Sequence, residues 1–164
     1  MVDTFLNVLF LCTGNSARSI IAECLLNHLG HGRFRAYSAG SRPTGTVNPL
    51  AVEILEAEGV PASGRRSKSW DEFGAADSPQ MDIVITVCGN AANETCPVWP
   101  GAPMSVHWGF DDPAAATGDD RARRAEFRRV FGEIREKIEV FLGNAEDTPD
   151  PALPGDILNN STNP

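Results

Sequence analysis

The sequence predicts an α/β fold, a four-stranded parallel sheet flanked by helices on both faces, and three observations point there. Short, largely apolar runs alternate with segments of helical periodicity. The central runs lack the apolar–polar alternation of a half-solvated strand, as a sheet covered on both sides requires. Chemically capable side chains, Cys12, Cys88 and Asp112, follow three of the four runs, and ligands of such sheets bind beyond the carboxyl ends of the strands.

Residues 5–11, Phe-Leu-Asn-Val-Leu-Phe-Leu, form the first expected strand. From Arg18 or Ser19 onward, Ile20, Ile21, Cys24, Leu25 and Leu29 share one helical face, and Gly30 with Gly32 ends the helix. Residues 34–38 make a short strand that leads into a loop at 39–45. Pro49 suits the first turn of a helix carrying Ala51, Val52, Ile54 and Leu55 as far as Gly59. Ser69 stands where it would cap a short helix at 70–73, with Glu72 in the capping-box position. Residues 83–87 are a third strand ending at Cys88, and residues 104–108 a fourth, running into Gly109-Phe110-Asp111-Asp112-Pro113. The last helix is expected from Asp119 or Asp120 to about Leu142, with Phe127, Val130, Phe131, Ile134, Ile138 and Phe141 as its core stripe. Residues 1–143 then form one domain. Residues 144–164, with four prolines and few apolar groups, are expected to be a disordered acidic tail.

A chain of 164 residues, 41% apolar, buries a sufficient core without metal or disulfide staples. A net charge of -8 argues against nucleic acid or an anionic membrane as partner. A small anion remains compatible, because a local nest of N–H groups overrides a global negative field. No stretch approaches the roughly 20 apolar residues of a membrane span. Residues 5–11 are too short for a signal peptide, and no basic residue precedes them, so a cytoplasmic location is expected. Cysteines 12, 24, 88 and 96 would then be reduced, and a catalytic role suits them better than a structural disulfide. No Cys-x-x-Cys pair or histidine cluster suggests a metal, and no cofactor is expected.

The central motif is Cys12-Thr13-Gly14-Asn15-Ser16-Ala17-Arg18-Ser19, between the first strand and the first helix. Such a loop can turn its N–H groups inward, with the helix N-terminus behind them. Gly14 and Asn15 tolerate the left-handed backbone angles of a nest. Arg18 offers a planar fork for two oxygens of a tetrahedral anion. Cys12 at the base feels the same field, which should lower its pKa below about 8.5, and Ser19 can hydrogen-bond its sulfur. Cys24 falls on the core face of the first helix and is expected to be inert.

Residues 11–19 resemble the phosphate loop of the low-molecular-weight tyrosine phosphatases and of the arsenate reductases that share their fold. On that resemblance Thr13 to Ser19 bind the oxyanion, Cys12 is the nucleophile and Asp112, in Asp112-Pro113, is the general acid. The phosphatases typically follow their Asp-Pro with aromatic residues, whereas Ala114-Ala115-Ala116 stand here. Residues 87–97, with Cys88 and Cys96, resemble the redox segment of the reductases, and residues 107–113 resemble their acid loop. The resemblance covers about residues 5–142 and implies arsenate as substrate, with phosphate or sulfate competing. It implies a relay from Cys12 to Cys88 to Cys96, ending on thioredoxin. The thioredoxin-linked members have one residue fewer between the last two cysteines, which keeps glutathione with glutaredoxin as an alternative reductant. If residues 88–96 were one helix, the two Cα atoms would lie about 12 Å apart. A disulfide needs about 7 Å, so the segment must bend during turnover. A phosphatase of the same fold is the second reading, and an anion-binding or redox-sensing switch without catalysis the third. The related enzymes often hold a potassium ion near the loop. Asn15, Glu23 and Ser38 match that site, but the fourth region reads Arg65-Arg66-Ser67-Lys68-Ser69, so Lys68 or an arginine is expected in place of the ion.

Overall fold

The computed structural model of the chain describes residues 5–75, 77–87 and 103–147. Its elements are β1 (Leu6–Cys12), α1 (Arg18–Leu29), β2 (Phe34–Gly40), α2 (Pro49–Ala57) and the 3₁₀ turn η1 (Trp70–Phe73). They continue with β3 (Ile83–Thr86), β4 (Met104–His107), the 3₁₀ turn η2 (Pro113–Ala115) and α3 (Asp120–Asp147). The strands form one parallel sheet in the order β2-β1-β3-β4. Cys12 lies opposite Gly40, and Leu11 pairs with Thr86, which in turn pairs with His107. All four strands therefore end at one edge of the sheet, the edge from which the site is built.

Successive residues of β1 point to opposite faces and from Val8 onward are buried on both. Val8, Phe10 and Cys12 join a cluster with α1, α2 and α3, while Leu9 and Leu11 join Ala39, Met81, Val84 and Phe73 of η1. Among the described residues the α-helices thus cover one face and η1 the other. No helix among them is long and apolar enough to cross a membrane.

Helix α1 departs from the expected single apolar face. Every residue from Ser19 to Leu26 is buried, because α1 packs on β1 and β2 and also touches both α2 and α3. The stripe of α3 is buried as expected, Phe127, Val130, Phe131, Ile134, Ile138 and Phe141 all lying in the core. The helix runs past Leu142 to Asp147, into the stretch expected to be tail; no proline interrupts it before Pro149. The rest of that tail lies outside the described residues.

Around η1, Ser69 Oγ accepts from the N–H of Asp71 rather than closing a capping box with Glu72. The Glu72 carboxylate is taken by Arg66, whose Nη1 donates to it at 2.9 Å. The last helix is locked by aromatic packing: Phe141 lies 5.1 Å from the Phe34 ring and 5.8 Å from Trp108, which also meets Phe10. Replacing Phe141 with Ala should destabilise the fold by about 3–5 kcal/mol, the range for large aromatic truncations in a core. Its neighbour Val140 is 46% exposed, and truncation there should fall within about 0.5 kcal/mol of wild type. Urea unfolding midpoints of the two variants check the contrast.

Candidate active site

Cys12 closes β1 with 3% of its surface exposed, and the chain turns through residues 13–17 into α1. The carbonyls of this turn are tied outward. Thr13 O accepts from the N–H of Arg42 at 2.9 Å, Gly14 O from Thr44 at 3.0 Å, and Ser16 O from Asn48 at 2.8 Å. Ser67 Oγ donates to Gly14 O as well. With the carbonyls held on that side, the N–H groups turn the other way. Among the described residues none of the main-chain N–H groups of residues 14–18 donates to a protein acceptor. Ala17, at the N-cap, supplies no capping side chain, so the first N–H groups of α1 add to the set. A nest of this kind, backed by a helix N-terminus, binds oxyanions.

Asn15 is the bolt of the turn. Its φ of 46° lies in the left-handed region that asparagine tolerates. Its buried amide donates to Ser19 Oγ at 2.8 Å and accepts from the N–H of Lys68 at 2.9 Å. Gly14 does not share that backbone conformation, contrary to expectation. Its role is space, because a Cβ there would stand 3.3 Å from the Thr44 methyl. Gly40 is needed more strictly, since a Cβ would sit 2.5 Å from Thr13 O and 3.0 Å from Asn15 N.

Arg18 joins the first and fourth strand loops. Its Nη1 donates to Phe110 O at 3.1 Å and its Nη2 lies 3.6 Å from Asp112 Oδ2. Asp112 also accepts from the N–H of Ala114 and so caps η2. The Asp-Pro segment is therefore both a turn and a carboxylate brought to the rim of the nest. Ala114 and Ala115 beyond it are exposed and carry no ring. Cys88 and Cys96 lie outside the described residues; Val87, just before Cys88, donates its N–H to Leu11 O. Cys24 is in the core, and burial pushes its thiol up to about 11 against the pull of the neighbouring Arg65.

Sequence patterns do not single out Arg42, Thr44, Asn48 and Ser67, which hold the turn from outside. Their contribution is mostly main-chain N–H, and the Ser-Arg-Pro-Thr-Gly composition of the segment signals only a loop.

Beneath Asn15 lies a charge cluster. The Glu23 carboxylate, 3% exposed, accepts from Ser38 Oγ and from Arg65 Nη1 at 2.8 Å, and Lys68 Nζ stands 3.8 Å away. Lys68 Nζ also lies 3.4 Å from Ser38 Oγ, and burial lowers its pKa against the opposing pull of Glu23. These residues do not fit a potassium ion. Two side-chain cations already balance Glu23, the Asn15 oxygen is bonded to Lys68, and Arg65 Nε is buried without an acceptor.

Residues 7–148 match the family described as low molecular weight phosphotyrosine protein phosphatase. An arsenate reductase of Halalkalibacterium halodurans is 42% identical over 134 residues, covering 82% of this chain and 93% of that protein. An arsenate reductase of Bacillus subtilis is 38% identical with the same two coverages. Among solved structures, an arsenate reductase in the phosphate binding state superposes with a TM-score of 0.69 at 29% identity, covering 85% of this chain and 98% of that one. A thioredoxin-dependent arsenate reductase of Corynebacterium glutamicum gives a TM-score of 0.58 at 30% identity, over 85% of this chain and 65% of that one.

Two outcomes follow from this geometry. Gly40→Ala should destabilise the protein by about 1–3 kcal/mol through overpacking; phosphate should raise the wild-type melting temperature by binding the folded state, and the variant should lose that rise. Thermal melts with and without phosphate read both effects. Exchanging potassium for tetramethylammonium should leave the wild-type melting temperature unchanged within about 1 °C. Lys68→Ala should lower it by several degrees, at about 2–4 °C per kcal/mol for a chain of this size, and potassium should restore part of the loss. A wild-type melting temperature that rises with potassium would show that the ion has a place there.

Proposed function

The chain belongs to the low-molecular-weight phosphotyrosine protein phosphatase family, and we propose that within it the protein is an arsenate reductase. The observation that carries the oxyanion chemistry is the meeting of Arg18 with Asp112 at the rim of the Cys12 turn. That contact joins the Arg18 guanidinium and the Asp112 carboxylate beside the turn that starts at Cys12, which supports reading the three as anion fork, proton donor and nucleophile. The choice of arsenate is supported by relatives of that name at 37–42% identity over more than four-fifths of the chain.

The N–H groups of residues 14–18 and the Arg18 fork take three oxygens of arsenate, leaving the fourth toward Asp112. The same groups favour the thiolate of Cys12, whose sulfur attacks arsenic. Asp112 gives its proton to the departing hydroxyl of arsenate, which leaves as water. The Cys88 thiolate then attacks Cys12 Sγ. The sulfur–arsenic bond breaks, its electron pair stays on arsenic, and arsenic falls from As(V) to As(III) and leaves as arsenite. Two thiols have supplied the two electrons and form a Cys12–Cys88 disulfide. Cys96 attacks Cys88, Cys12 departs as thiolate, and the Cys88–Cys96 disulfide takes two electrons from a dithiol protein. Thioredoxin is the reductant favoured by the thioredoxin-dependent relative in Corynebacterium glutamicum, and glutathione with glutaredoxin is the alternative. All of this chemistry suits a reducing cytoplasm.

A phosphatase is the second reading, favoured by the family description itself. It needs the same cradle and acid but neither Cys88 nor Cys96.

The test is arsenite release with thioredoxin and with glutaredoxin systems, comparing wild type with Cys12→Ser, Cys88→Ser and Cys96→Ser. Each variant should lose multiple turnover. Cys12→Ser should also lose hydrolysis of para-nitrophenyl phosphate, which Cys88→Ser should keep. Undiminished arsenate turnover by Cys88→Ser would overturn the relay. Phosphate ester hydrolysis without arsenate turnover in the wild type would make the protein a phosphatase.

A further inference from the structure

We infer that Arg129 is a positioning residue for the acid loop, holding Asp112 in place through its neighbour Asp111. The inference rests on the reading of Asp112 as proton donor.

The segment from Trp108 to Pro113 is anchored at both ends, since both residues are buried. Between them Phe110 packs partly buried against the core and donates its N–H to Val87 O, but the side chains of Asp111 and Asp112 beyond it are 77% and 44% exposed. Two guanidinium groups grip this stretch from different elements. Arg18, at the start of α1, holds Phe110 O and faces Asp112. Arg129, on α3, places Nη2 3.1 Å from Asp111 Oδ2. Adjacent carboxylates thus each take one arginine.

The two grips are not equivalent during turnover. Arg18 is also the fork that meets the oxyanion, and N–H groups given to arsenate are withdrawn from Phe110 and Asp112. At the moment the proton must move, the Arg129–Asp111 pair still tethers the loop to the body of the protein.

Arg129 is built for that duty. Glu126 accepts from its Nε at 3.0 Å and from its Nη2 at 2.9 Å, and Glu133 accepts from its Nη1 at 3.1 Å. Both carboxylates lie on α3, so the guanidinium is aimed before it reaches Asp111 and loses little rotamer freedom in doing so. Its neighbours Phe127, Val130 and Phe131 are in the core, so the grip comes from a rigid element. A surface pair of this exposure contributes little to folding, and its loss should therefore act on the proton donor rather than on stability.

The experiment is a single-turnover measurement of arsenite release from the prereduced, full-length protein, for Arg129→Gln in the wild-type and Asp112→Asn backgrounds. Arg129→Gln should slow the first turnover about tenfold, a fraction of the 10²–10⁴-fold that a positioned general acid supplies. The arsenate concentration for half-maximal rate should not move, because the cradle is untouched. In the Asp112→Asn background the same substitution should have no further effect, since a residue acting through Asp112 is silent once the acid is gone. Asp111→Ala, which removes the acceptor of the tether without disturbing α3, should reproduce the loss if Arg129→Gln fails to fold. An unchanged rate in the wild-type background, or an equal tenfold loss in the Asp112→Asn background, overturns the role of Arg129. A wild type that releases no arsenite overturns the proposed function instead.

Discussion

Three main-chain carbonyls facing away from Cys12 are the condition on which the site depends. A five-residue turn cannot present its N–H groups to an anion while its oxygens face the same way, so each oxygen needs a partner elsewhere. Arg42, Thr44 and Asn48 supply those partners, which makes the loop after β2 a second wall of the nest rather than a connector. The close approach needs Gly40, where β2 ends against Cys12. The register of two parallel strands therefore sets the geometry of the turn. Asn48 serves twice: its N–H closes on Ser16, and its side chain caps α2, so the wall is fastened to the core through Ala51, Ile54 and Leu55.

The second support is electrostatic and lies under the turn. A buried carboxylate is expensive unless paired and hydrogen-bonded, and Glu23 receives Ser38, Arg65 and Lys68. The main-chain N–H of Lys68 also holds Asn15, so the lysine that balances the charge belongs to the strand-like stretch that holds the turn. Neutralisation and shape arise from one residue. The segment that delivers the Lys68 charge to Glu23 is thus the one already required for the backbone contact with Asn15.

Much of this was legible in the sequence, for identifiable reasons. β1 and β3 can be read because burial on two faces at the centre of the sheet leaves largely apolar runs, and α3 because it presents one stripe to the core. Periodicity marks only one face of α1, since it assumes one buried side, whereas α1 is enclosed by the sheet, α2 and α3. The capping box at Ser69 failed because a partner outside the local motif, Arg66, competes for Glu72. Cys12, Arg18 and Asp112 can be singled out because residues 11–19 and Asp112-Pro113 resemble family motifs carried by side chains, and the structure brings Arg18 to Asp112. The N–H groups of 42–48 were not, because a main-chain donor leaves no mark on residue identity. Gly40 carried the signal of a loop, whereas its requirement is clearance from Thr13 O.

A nest made of main-chain N–H groups recognises charge and tetrahedral shape, and it cannot by itself tell arsenate from phosphate. Under the proposed function the discrimination falls to two other properties. The rim beyond Asp112 presents Ala114 and Ala115, which offer nothing to an aromatic ester and obstruct nothing in a bare oxyanion. Once Cys12 is bonded to the central atom, attack of a second thiol on that sulfur drives an electron pair onto it. Arsenic accepts the pair and becomes trivalent; phosphorus resists that reduction, so a phosphorylated cysteine must instead wait for water. The same cradle therefore serves either reaction, and the presence of a second thiol in reach converts a hydrolytic intermediate into a redox one. Selection for arsenate requires no reshaping of the turn, only a small rim and thiols that arrive from outside it.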